Sequence, residues 1–135
     1  CRALVPGQRH LSDEMIKAIT DRDGVIGMVF AEQMLSPTWS WDEPSTHYAT
    51  ATRPMKAVVE HIDHICQLLG DCDHVALGTD LDGGYGRELA PTDYNTAEDL
   101  QRFPTILEES GYSTDDIDKI CHANLIRFFK RNWSQ

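Results

Sequence analysis

Two short apolar runs constrain this chain more than any other feature. They are residues 25–30 (Val25-Ile26-Gly27-Met28-Val29-Phe30) and residues 74–79 (His74-Val75-Ala76-Leu77-Gly78-Thr79). Each is nearly unbroken, and the first follows the turn signal Asp23-Gly24, the pattern of a strand buried on both faces. Between them Pro54 opens a long helical pattern. Met55, Val58, Val59, Ile62, Ile65, Cys66 and Leu69 recur along one face, and Gly70 is its stop. Apolar strands separated by such a helix mark parallel βα units, because parallel neighbours need a crossover. Two strands cannot cover both faces of a parallel sheet or protect both its edges. The pattern therefore expects more strands than this chain supplies.

The remaining segments fit around that unit. Ser12 is placed to cap a first helix, with Asp13 and Glu14 at its positive end and Met15, Ile16 and Ile19 as its buried stripe. Residues 32–53 are rich in Ser, Thr, Pro and Trp and read as a long loop or lid after the first strand. Asn95 or Thr96 caps a further helix that Pro104 is expected to interrupt. Ser113 caps the last helix, whose buried side is Ile117, Ile120, Cys121, Leu125, Phe128 and Phe129. The predicted order is helix, strand, helix, strand, helix, helix, within one segment spanning residues 1–135.

Composition narrows the function classes. Lys and Arg number 12 against 22 Asp and Glu, so 12 − 22 gives a net charge of −10. That balance argues against nucleic acid and against an anionic membrane surface, which both call for a basic patch. The longest apolar run is far too short to span a bilayer. Cys1, Cys66, Cys72 and Cys121 form neither a Cys-x-x-Cys pair nor a dense framework, which disfavours zinc fingers and disulfide scaffolds. Cys66 reads as a small core residue. The chain opens on Cys1 rather than Met, so a processed or partial product is expected.

Chemistry concentrates in Gly78-Thr79-Asp80-Leu81-Asp82-Gly83-Gly84, directly after the second apolar run. In parallel α/β folds the carboxyl ends of strands gather catalytic side chains. Asp80 and Asp82 could ligate a metal, hold an amine or transfer a proton. The plainer alternative is an Asx-type turn in which they bond only loop amides. An EF-hand calcium loop fails at Gly84 and Pro91, which are not ligands. Asp-x-Asp-Gly after a strand also resembles the nucleophile motif of haloacid-dehalogenase-type phosphatases, though Gly84 replaces that motif's Thr. His61 and His64, beside Glu60, read as an exposed or capping pair on the long helix. His10, His47 and His122 are isolated and take no role here. Trp39 and Trp41 could floor a pocket or anchor the loop. Arg9, between a Pro-Gly turn and a helix start, could present its fork to a carboxylate or simply face solvent.

Taken in order, five segments resemble the renal (membrane) dipeptidase family of zinc peptidases. They are Arg9-His10-Leu11-Ser12-Asp13-Glu14, then Gly24-Val25-Ile26-Gly27-Met28-Val29-Phe30, then His61-Ile62-Asp63-His64-Ile65. His74-Val75-Ala76-Leu77-Gly78-Thr79-Asp80-Leu81-Asp82-Gly83 follows, and Asn124-Leu125-Ile126-Arg127-Phe128-Phe129 closes the set. The resemblance implies the C-terminal portion of a (β/α)₈ barrel, the end of unit 6 with units 7 and 8. It implies hydrolysis of dipeptides, in some members with a D-configured second residue, by a water bound to two bridged zinc ions. The family's zinc ligands are a His-x-Asp pair, a bridging Glu and two later His, the last in a Ser-His-Ser expected just before Cys1. None of these falls within this chain.

Two substrate-facing positions carry over from the resemblance. Arg9 matches the arginine that binds the substrate carboxylate. Asp80 matches the aspartate that contacts the substrate amine and handles the proton going to the leaving group. Val29 and Met34 depart from members that carry Asn and Tyr there, which bears on substrate preference. The expected partners are a dipeptide, the remaining N-terminal barrel segment and a second copy of the chain, with no nucleic acid. The alternatives are a non-catalytic acidic α/β module that associates through open sheet edges, or a phosphatase using Asp80 and Asp82.

Overall fold

The two apolar runs pair. In a computed structural model, which describes residues 1–40, 42, 51–81 and 83–133, β1 (Ile26–Met28) and β2 (Val75–Leu77) lie parallel. Ile26 faces Val75 and Met28 faces Leu77. Further bonds extend the ladder toward the carboxyl ends, Gly78 N–H to the Met28 carbonyl and Phe30 N–H to the Thr79 carbonyl, each 3.0 Å. The prediction that β1 is buried on both faces is corrected. Ile26 and Met28 point inward, but Gly27 is exposed. On that face two bare backbones meet: a Cβ at Gly27 would stand 3.1 Å from the Gly78 α-carbon.

The crossover is α3 (Lys56–Leu69), which buries Val58, Val59, Ile62 and Ile65. It ends where predicted, at Gly70, whose φ of +84° suits glycine and whose N–H bonds the Cys66 carbonyl. At the other end Asp93 Oδ1 accepts from the Met55 amide at 2.7 Å. A long-range carboxylate therefore does the work of a local cap.

Ser12 caps α1 (Asp13–Thr20) as expected, accepting from the Met15 amide. Ile16 is fully buried, whereas Met15 is 47% exposed, a correction to the predicted stripe. One residue along a helix is a turn of about 100°, which carries Met15 off the core face toward the Arg2 guanidinium. The predicted long loop begins instead as a short helix, α2 (Glu32–Leu35). Glu32 is buried, accepting from Thr52 Oγ1 at 2.7 Å and the Arg53 amide at 3.1 Å. That carboxylate joins the two ends of the predicted lid. Trp41 and His47 lie outside the described residues.

After β2 come two 3₁₀ turns, Arg87–Leu89 and Ala97–Arg102, the second opened by a Thr96–Asp99 capping box. Pro104 does not interrupt a helix. It sits in the first turn of α4 (Phe103–Glu109), where its missing N–H costs nothing. Ser113 caps α5 (Thr114–Asp118), which runs through a wide π turn, Lys119–Ala123, into α6 (Asn124–Trp133).

The core is built on Phe30 and Phe103, whose rings lie 5.1 Å apart, with Ile16, Met55, Ile62, Leu107 and Ile120 around them. Cys66 is buried among them, as expected. Leu125, Phe128 and Phe129 are only half-buried, another correction, because α6 is anchored at its start through Ile120 and Asn124. Among the described residues no helix is long and apolar enough to cross a membrane.

Candidate active site

The carboxyl ends of β1 and β2 open onto a cleft of about 340 Å³. Arg9 reaches it from the N-terminal loop, Gln33, Met34 and Trp39 from the segment after β1, and Asp80, Gly83, Gly84, Tyr85 and Leu89 from the segment after β2. The family resemblance paired Arg9 and Asp80 as substrate-facing positions. The fold brings both onto one cavity.

Local structure fixes each of them. Around Arg9, the Arg2 amide bonds the Leu11 carbonyl at 2.8 Å, and Arg2 Nε bonds the Gly7 carbonyl at 3.1 Å. Those bonds fold the loop back on itself and leave Arg9 exposed at its rim. Asp80 takes a φ of +57°, in the left-handed region that a side chain enters only at a cost. A turn maintains that conformation, with the Gly83 N–H bonded to the Asp80 carbonyl at 3.0 Å. Only glycine fits at 83, since a Cβ there would stand 2.3 Å from Asp80 Oδ1 and 2.9 Å from the Asp80 carbonyl. The loop therefore serves to aim the Asp80 carboxylate. Asp82 lies outside the described residues.

Tyr85, which sequence reasoning missed, closes the cleft wall. Its hydroxyl donates toward the Phe30 and Thr79 carbonyls, at 3.3 and 3.4 Å, and so spans the ends of both strands. Burial, then the Asp80 charge, pushes its pKa up to about 12, so the phenol stays protonated. Trp39 lines the cleft, in keeping with the pocket-floor reading.

Behind the cleft a second, more apolar cavity of about 220 Å³ runs along β1. Arg9 and Met34 border both cavities, and His10, Leu11, Val29 and His61 line the inner one. The expected exposed pair His61 and His64 is corrected. His61 is 6% exposed and bonded to the Cys1 amine through Nδ1, while His64 Nε2 pairs with Asp13 at 2.8 Å and joins α3 to α1. Burial, the largest cause, drives His61 down to about 3. Glu60 pairs with Arg53. Among the described residues no three His, Cys, Asp or Glu side chains converge as a metal-ligand set, so those residues do not fit a zinc centre.

Residues 1–134 match the membrane dipeptidase family, peptidase family M19, and the chain belongs to it. An uncharacterized protein from the region 5′ to pqqA in Klebsiella pneumoniae is 33% identical over 98% of this chain and 44% of its own length. An uncharacterized dipeptidase of Schizosaccharomyces pombe is 30% identical over 90% of this chain and 26% of its own. This chain thus spans less than half the length of either. The fold is similar to that of a solved M19 dipeptidase, with a TM-score of 0.78 at 24% identity, covering 99% of this chain and 36% of that one. It is also similar to a metallopeptidase from Rhodobacter sphaeroides solved with a phosphinate mimic of the dipeptide L-Ala-D-Ala. There the TM-score is 0.74 at 25% identity, over 98% of this chain and 34% of the other.

Proposed function

We propose that this chain is the C-terminal portion of a zinc-dependent dipeptidase, the end of unit 6 with units 7 and 8 of a (β/α)₈ barrel, and supplies its substrate contacts. One observation carries the reading. Arg9 and Asp80, opposite in charge and far apart in sequence, line one cleft at the carboxyl ends of parallel strands. A dipeptide is a zwitterion, and that pairing complements its two ends. The Arg9 guanidinium takes the carboxylate in a two-point bond, and the Asp80 carboxylate takes the ammonium. As water adds to the scissile carbonyl carbon, the Asp80 carboxylate takes up the proton that the water loses and passes it to the leaving nitrogen as the C–N bond breaks. Tyr85, held neutral, adds no competing charge, and Met34 and Trp39 supply apolar wall.

The zinc ligands belong to the rest of the barrel, in the family pattern of a His-x-Asp pair, a bridging Glu and two further His. That N-terminal segment is the partner this chain requires. Among the described residues the sheet has two strands and open edges, which supports the division, since a parallel sheet of this kind needs neighbours on both sides.

The test is dipeptide hydrolysis by the complete protein carrying this chain, with zinc content measured alongside. Zinc-dependent hydrolysis supports the reading. Hydrolysis of phosphate esters that needs Mg²⁺ and vanishes in Asp80→Asn would instead establish the phosphatase alternative.

A further inference from the structure

One buried titratable side chain has no part in the reading above. His10 is 7% exposed, with Nε2 3.0 Å from the Met34 carbonyl oxygen and, among the described residues, no hydrogen-bond partner for Nδ1. A carbonyl only accepts, so Nε2 carries the proton and donates, and in the neutral ring Nδ1 is then the lone-pair nitrogen. The surroundings favour that state. Burial holds His10 below its ordinary range, and Arg2 and Arg9 act in the same direction, against the bond to Met34. The His61 ring, 6.4 Å away and itself held neutral by burial, offers no counter-charge. Gly7 leaves room for the ring, since a Cβ there would stand 3.3 Å from Nδ1.

The His10–Met34 bond lies beside the cleft, although His10 itself lines the inner cavity. Arg9 is the next residue in the chain, and Met34 borders the same cavity as Asp80. We propose that His10 is a positioning residue, whose bond to the Met34 carbonyl locks the Arg9 loop to the segment after β1 and so fixes where Arg9 meets the substrate carboxylate. The proposal rests on the dipeptide reading of the cleft for its catalytic consequence, and on the bond alone for its structural one.

Two variants of the complete protein test it. His10→Gln keeps an N–H donor at about the same reach, and His10→Leu fills the space without one. Loss of one hydrogen bond is expected to raise the KM of His10→Leu for a simple dipeptide about fivefold, with kcat unchanged, and His10→Gln should restore the wild-type KM. Deuterium uptake by the amides of residues 31–36 gives a readout independent of activity. Uptake should rise in His10→Leu and return to the wild-type level in His10→Gln. If the wild-type protein hydrolyses no dipeptide, the functional reading fails and the uptake alone decides the positioning role. Unchanged uptake and KM in His10→Leu, or equal damage in both variants, would overturn the proposal.

Discussion

At the scale of single residues, the site depends on a turn that forces Asp80 into a left-handed conformation and on a glycine that leaves room for its carboxylate. Asp80→Ala is expected to lower kcat of the complete protein by about 100-fold, the scale of general acid–base catalysis, while zinc content stays near normal. Equal loss of zinc would make Asp80 a ligand instead. Arg9→Ala should act chiefly on KM for dipeptides with a free carboxylate, raising it about tenfold or more, as expected for a charge-assisted bond. An unchanged KM would return Arg9 to the solvated surface. Asp80 was visible because it ends an apolar strand, whereas the Pro-Gly turn beside Arg9 left that residue open to a surface role and the family resemblance singled it out. Tyr85 and His10 carry no such signal. Their partners are the carbonyls of Phe30, Thr79 and Met34, and a bond to a distant carbonyl leaves no local pattern.

Among the elements, local chemistry was readable and tertiary chemistry was not. Ser12, Ser113 and Gly70 each end or begin a helix where their side chains or backbone freedom predict. The short helix that opens the segment after β1 and the bonds from Glu32 to Thr52 and Arg53, which tie the segment's two ends, left no local pattern. Asn124 is a similar case. It is fully buried after the π turn, and its Nδ2 donates to the Cys72 and Val75 carbonyls at 2.7 and 2.9 Å. Both bonds tie α6 to the edge of β2. Asn124→Leu strands two buried acceptors and is expected to destabilise the fold by about 2–3 kcal/mol, read as a lower urea midpoint with unchanged slope. A midpoint equal to wild type would mean that α6 is held by packing alone.

For the whole molecule, the apolar cavity along β1 carries a buried histidine whose charge the fold rejects. His61 falls to about 3 in the folded state from an ordinary value of 6.5. Between those values the unfolded chain holds the extra proton, so stability should rise with pH across that window and fall as the solution is acidified toward about pH 3. Denaturation midpoints at several pH values would show that slope, and His61→Leu should flatten it. An unchanged slope would point to other groups. The parallel pairing and its crossover helix were legible because apolar runs and helical periodicity are written locally. The cleft was not, since it exists only once three separate loops meet at the strand ends.

The central claim is a division of labour, with substrate contacts in these residues and metal ligands in the rest of the barrel. The most direct test compares zinc content and dipeptide hydrolysis for the 135-residue chain alone and for the complete protein. The account predicts that the complete protein holds two zinc ions and hydrolyses dipeptides, while the chain alone retains no stoichiometric zinc and is inactive. A chain that binds two zinc ions and cleaves dipeptides unaided would contradict it.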